Sequence, residues 1–168
     1  MAKDHDLTVF QQVLLATDGT VTDLIALYAG EPMRVRKLQQ EVRTDRLEPA
    51  LACVEGTALL DRRILLSGAA KNYLYAESCF VLERVPESIR EQMLTTDRPV
   101  GLLWKSERLE TFREIVEQAV EPCVTIAHHF DLPVAAPFVS RTYLVHHRNK
   151  PLGKITERWP LSYFRRVP

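Results

Sequence analysis

Hydrophobic positions change period several times along the chain. Leu7, Phe10 and Leu14 recur at helical spacing and predict a short amphipathic helix. Asp18-Gly19-Thr20 interrupts it. Leu24, Leu27 and Tyr28 then predict a second helix running to Gly30, with Thr20 or Thr22 as its cap. From Met33 to Val42, β-branched and charged residues roughly alternate, as in a strand with one wet face, and Asp45 to Pro49 ends it. Ala58 to Leu66 alternates more strictly. Ala58, Leu60, Arg62, Ile64 and Leu66 share one face, and Leu59, Asp61, Arg63 and Leu65 the other. Ser67 to Asn72 reads as a turn and Tyr73 to Leu82 as a third strand, so these two strands form an antiparallel hairpin. Pro86 opens a polar helix through Ile89 and Met93. Arg98-Pro99-Val100-Gly101 reads as a breaker before a short segment ending at Trp104. Thr111 to Val120 is again strand-like, and a helical turn is expected between Pro122 and His129.

The last run, Ser140 to Phe164, is the most informative. Val139 to Val145 alternates, with Arg141, Tyr143 and Val145 on one face. Asn149 to Gly153 carries turn chemistry. In the strand that follows, Gly153, Ile155, Glu157 and Trp159 share a face opposite Lys154, Thr156 and Arg158. Glu157 therefore sits between apolar neighbours, where a carboxylate must be protonated, paired or used. Arg62 is its counterpart on the earlier strand, a guanidinium with only apolar companions that needs an anionic partner. The two could pair with each other in the core or serve a ligand together. Helices followed by strands joined through hairpin turns predict an α+β single domain over residues 1–168.

Composition narrows the classes. The 168 residues suit one domain, with 46% hydrophobic and 26% charged content and zero formal net charge. No block of like charge marks a nucleic-acid partner, and no apolar run is long enough to span a membrane. MAKDHDLTVFQQ lacks the layout of a signal peptide. Cys53, Cys79 and Cys123 are odd in number and have no metal-like spacing, so reduced, buried thiols and a cytoplasmic location are expected. Adjacent histidines on a strand point opposite ways, so His128-His129 and His146-His147 predict no metal site. Arg34, Arg36 and Lys37 read as a wet strand face, and Trp104 and Trp159 as core. No phosphate loop, nucleophile elbow or zinc signature is present.

RTYLVHHRNKPLGKITERWPLSYF resembles the C-terminal signature of the chorismate pyruvate-lyase (4-hydroxybenzoate synthase) family. LATDGTVTDLI, LLDRRILL and RPVGLLW resemble three further family segments in the expected order. The resemblance implies an antiparallel sheet of about six strands with helices and helical flaps over an internal pocket. It also implies that Arg62 binds the ring carboxylate and that Glu157 faces the hydroxyl end of the ring. A carboxylate in an apolar pocket can act there as catalytic acid or base or position the hydroxyl, the substrate's own carboxylate being the alternative base. Backbone amides of Val21 and Val100, in the two flaps, would complete the carboxylate site, although family flap residues are often larger. Arg141 would support the site. The implied activity is a cofactor-free lyase whose partners are chorismate and 4-hydroxybenzoate. The alternative is a non-catalytic domain of the same fold that binds a small aromatic acid, as in effector domains of some bacterial transcription regulators. Such domains follow a winged helix-turn-helix, for which no room is seen before Leu7, and this favours the enzyme.

Overall fold

The computed structural model describes residues 6–165. Met1 to His5, which open the stretch read for a signal peptide, lie outside the described residues. Six strands form one sheet: β1 (Arg34–Arg43), β2 (Leu59–Ser67), β3 (Asn72–Val81), β4 (Phe112–Pro122), β5 (Pro137–His147) and β6 (Lys150–Pro160). Their order across the sheet is β1-β2-β3-β6-β5-β4, and every neighbouring pair is antiparallel. Four helices complete the α+β architecture: α1 (Val9–Ala16), α2 (Val21–Ala29), α3 (Glu87–Thr95) and α4 (Val100–Ser106).

The strands form where alternation predicts them, because one face of the sheet is covered by all four helices. Leu14 and Leu15 of α1, with Val21 and Ile25 of α2, pack on Leu66, Leu74, Val139 and Trp159. Ile89 and Met93 of α3, with Leu103 and Trp104 of α4, pack on Leu60, Phe80, Val145 and Ile155. The covered face thus holds two apolar clusters side by side. Gly153 brings the second one tight against the sheet. It pairs with Phe80, and a Cβ there would stand 2.3 Å from that ring, so only glycine leaves the ring its place. Both tryptophans are buried, as expected.

Helix α1 begins with a capping box, in which Thr8 Oγ1 accepts from the Gln11 amide and Gln11 Oε1 accepts from that of Thr8. Gln11 is fully buried, and its amide group also donates to the carbonyls of Leu161 and Tyr163. This satisfied polar side chain ties α1 to the turn that follows β6.

Several local readings change. The β5–β6 turn is Arg148-Asn149 alone, both left-handed, and His147 pairs with Lys150. Pro151 to Gly153 already belong to β6. Pro151 is tolerated there because β3 pairs with β6 only from Gly153 onward, leaving that side of Pro151 without a strand. Val100-Gly101 does not break structure but starts α4, with Pro99 as its N-cap residue. Thr20 is the N-cap of α2, yet its side chain makes no capping bond. The turn after Pro122 is a 3₁₀ segment, Ala127–Phe130. All three thiols are free, but only Cys79 is buried; Cys53 and Cys123 are half-buried. Burial, reinforced by Asp61, pushes the Cys79 thiol up to about 12. No helix among the described residues is long and apolar enough to cross a membrane.

Candidate active site

The seam between the two apolar clusters holds a cavity. Its walls include Ile64, Leu66, Leu74 and Ala76 on one side and Phe80, Tyr143 and Ile155 on the other. Arg62 and Glu157 reach it from β2 and β6, and Val21 and Val100 close it from above. Four residues singled out from the sequence are therefore brought to one space. They come from four segments of the chain.

Arg62 is 3% exposed. No hydrogen bond or ion pair ties its guanidinium to any described residue, and its buried Nε has no partner. Burial pulls its pKa down, with the charge of Asp97 opposing that shift. Arg63, one residue on, points out of the opposite face and is exposed, as alternation predicts. A cation held in a largely apolar wall without a directly paired counter-charge carries a desolvation cost of several kcal/mol. An anion that enters the cavity relieves it.

Glu157 is buried but fully engaged. Arg141 Nε donates to its Oε2 at 2.7 Å, and the Tyr143 hydroxyl donates to its Oε1 at 3.1 Å. Arg141, Tyr143 and Glu157 meet because β5 and β6 pair Arg141 directly with Glu157. Arg141 is wholly buried, donates through Nη1 to the Thr17 carbonyl at 2.7 Å, and lies 4.9 Å from the Tyr143 ring centroid. Burial and the adjacent Glu157 charge push the Tyr143 phenol well above its usual range, so it remains a donor. The pairing of Arg62 with Glu157 that the sequence left open is absent. β3 lies between their strands, and Glu157 has Arg141 instead.

Arg141 is placed one step back from the cavity wall, acting on Glu157. Tyr143, by contrast, lines the cavity, and sequence reading assigned it no role. Its position beside Arg141 on the buried face was legible; the carboxylate that its hydroxyl meets was not.

Val21 and Val100 are the first residues of α2 and α4. Backbone N–H groups in a first helical turn have no partner within the helix. These two helix starts touch, since a Cβ on Gly101 would meet the Thr20 side chain at 3.2 Å. An ion pair between Asp23 and Lys105, 3.2 Å long, also links α2 to α4. The space beneath is about 80 Å³, against roughly 300 Å³ or more for ligand pockets in general. Among the described residues, no group of three or more His, Cys, Asp or Glu side chains could hold a metal ion.

A family model described as chorismate pyruvate-lyase Rv2949c-like matches residues 15–166. A chorismate pyruvate-lyase from Mycobacterium leprae is 29% identical, over 98% of this chain and 79% of its own length. Among solved structures, PhnF from Mycobacterium smegmatis aligns with a TM-score of 0.67 at 14% identity, covering 86% of this chain and 65% of that one. The C-terminal domain of the histidine utilization repressor from Pseudomonas syringae aligns with a TM-score of 0.60 at 14% identity, over 81% and 96%. These two likenesses concern the fold alone.

Proposed function

We propose that this chain, which belongs to the Rv2949c-like chorismate pyruvate-lyase family, eliminates pyruvate from chorismate to leave 4-hydroxybenzoate. The observation that carries the reading is Arg62, a buried cation with no hydrogen-bonded or ion-paired partner, facing one cavity with a clamped Glu157. A planar ring with a carboxylate at one end and a hydroxyl at the other suits that pair. Arg62 takes the ring carboxylate in a charge-assisted contact. The first-turn N–H groups at Val21 and Val100 add donors to the same end. At the other end Glu157 meets the C4 position.

The chemistry needs little else. The C4–H proton leaves, and its electron pair forms the C3–C4 double bond that completes the aromatic ring. The C3–O bond breaks and the enolpyruvyl group departs with that bond's electrons; protonation of its methylene carbon gives pyruvate. Aromatisation drives the reaction, so no cofactor is required. Glu157 accepts the C4 proton or holds the C4 hydroxyl while the proton leaves. Arg141 and Tyr143 fix its two oxygens, so the carboxylate arrives pre-aimed. The small cavity further requires that the starts of α2 and α4 move apart to admit the substrate and close over it.

The second reading, a domain that binds a small aromatic acid without turnover, is favoured by the likeness of the fold to a repressor domain. Catalysis separates the two. Purified, metal-free protein incubated with chorismate is expected to release 4-hydroxybenzoate and pyruvate in equal amounts, as followed by chromatography. Arg62→Ala is expected to abolish both. Binding of 4-hydroxybenzoate without any turnover of chorismate would install the second reading instead.

A further inference from the structure

We propose that Arg113 binds the enolpyruvyl carboxylate of chorismate, the second carboxylate of the substrate and the one that the aromatic product lacks. The inference rests on the lyase reading of the site and goes beyond it. Arg62 is the only cationic side chain among the residues lining the cavity, and the ring carboxylate claims it. A second carboxylate entering the same apolar seam needs its own cation.

Arg113 stands where that cation is needed. It lies on β4 opposite Val145, on the helix-covered face of the sheet, beside Ile115, which pairs with Tyr143. Its guanidinium carbon is 5.8 Å from the centroid of the Tyr143 ring. Its Nη2 is 3.8 Å from the place a Cβ on Gly101 would occupy, at the junction of the α2 and α4 starts. Tyr143 and Gly101 both line the cavity. No hydrogen bond or ion pair ties Arg113 to any described residue, and its Nε is buried without a partner. Of the other cations nearby, Lys105 is engaged by Asp23 and Arg141 by Glu157 and Thr17, only the Nη2 of Arg141 being without a partner.

The ring chemistry selects the direction. With the C1 carboxylate on Arg62 and the C4 hydroxyl on Glu157, the C3 substituent projects to one side of the line joining them. One side offers Ile64, Leu66, Leu74 and Val21, all apolar. The other offers Phe80, Tyr143 and Gly101, with Arg113 behind them. The second side is the one that brings a further cation, Arg113, to the carboxylate. Once the C3–O bond breaks, Arg113 holds the departing enolpyruvate and no longer contacts the ring product. The residue therefore separates the dicarboxylate substrate from the monocarboxylate product.

The test compares Arg113→Gln with wild type for two ligands. For chorismate, KM is expected to rise about 10- to 100-fold, the range of one charge-assisted contact. The Kd for 4-hydroxybenzoate, read by fluorescence or calorimetry, is expected to stay within about two-fold, which also shows that the variant is folded. Arg113→Lys is expected to recover part of the lost affinity. Unchanged KM, or an equal loss for both ligands, would overturn the inference while leaving the lyase reading intact. If wild type binds chorismate without turning it over, the lyase reading fails, and the chorismate Kd replaces KM. A loss by Arg113→Gln confined to chorismate then still supports the second-carboxylate site.

Discussion

Arg62 and Arg141 are two guanidinium groups buried on the same face of the same sheet, yet the protein treats them oppositely. Arg141 sits directly across from a carboxylate, donates to a carbonyl as well, and borders an aromatic ring. Arg62 sits among apolar walls with no hydrogen-bonded or ion-paired partner among the described residues, the charge of Asp97 reaching it only from a distance. The first arrangement pairs both charges within the fold and leaves Arg141 Nη2 alone without a partner. The second is a charge with no direct partner, the one that the proposed lyase site assigns to the ring carboxylate.

The sharpest way to break this contrast is to replace each arginine with methionine and follow urea denaturation. Arg141→Met strands the Glu157 carboxylate and is expected to cost about 3–5 kcal/mol of stability. Arg62→Met removes an uncompensated charge and is expected to leave stability unchanged or raise it by about 1–2 kcal/mol. Equal destabilisation by both would erase the distinction. A separate effect, on turnover, is expected for Glu157→Gln, which keeps the shape but removes the charge paired with Arg141 and cannot take a proton. It should lower kcat about 100-fold, by analogy with the loss of a general base elsewhere. Near-full turnover would remove Glu157 from the proton transfer. The mildest change is Tyr143→Phe, which deletes one of two bonds to Glu157 and should cost about 1 kcal/mol of stability. The phenol is raised above the ordinary value of about 10, so its stabilising contribution persists throughout the neutral range and is lost only at higher pH. Wild type and Tyr143→Phe should therefore show the same dependence of kcat/KM on pH between about pH 6 and 9.

Alternation in Ala58–Leu66 separated a buried Arg62 from an exposed Arg63, and alternation in Gly153–Trp159 put Glu157 among apolar neighbours. Those readings need only the two-residue period of a strand, and the structure agrees with both. The partner of Glu157 was out of reach, because it depends on the register between β5 and β6. That register is set by a two-residue left-handed turn and by the extra residue Leu152 between the pairs Val145–Gly153 and His146–Pro151. Pro151 and Gly153 look like turn residues in any local window, and only the position of β3 shows why they fit a strand. Arg113 was equally hidden. Its neighbour Gly101 lies in a segment that reads as a breaker but is the first turn of a helix.

The turn at Arg148-Asn149 also has a consequence in time. Arg141 and Glu157 are 16 residues apart in sequence, and Tyr143 and Glu157 are 14. They belong to a single hairpin, and hairpins close within microseconds. Arg62 reaches the same cavity only after β3 has docked on β6 and two helix starts have settled above them, contacts that close much larger loops. The carboxylate is thus expected to pair with its neighbours before the apolar seam shuts around it. Arg62, the charge proposed for the ligand, is then expected to be the last one buried, an order that φ-values for Arg62 and Arg141 variants would check.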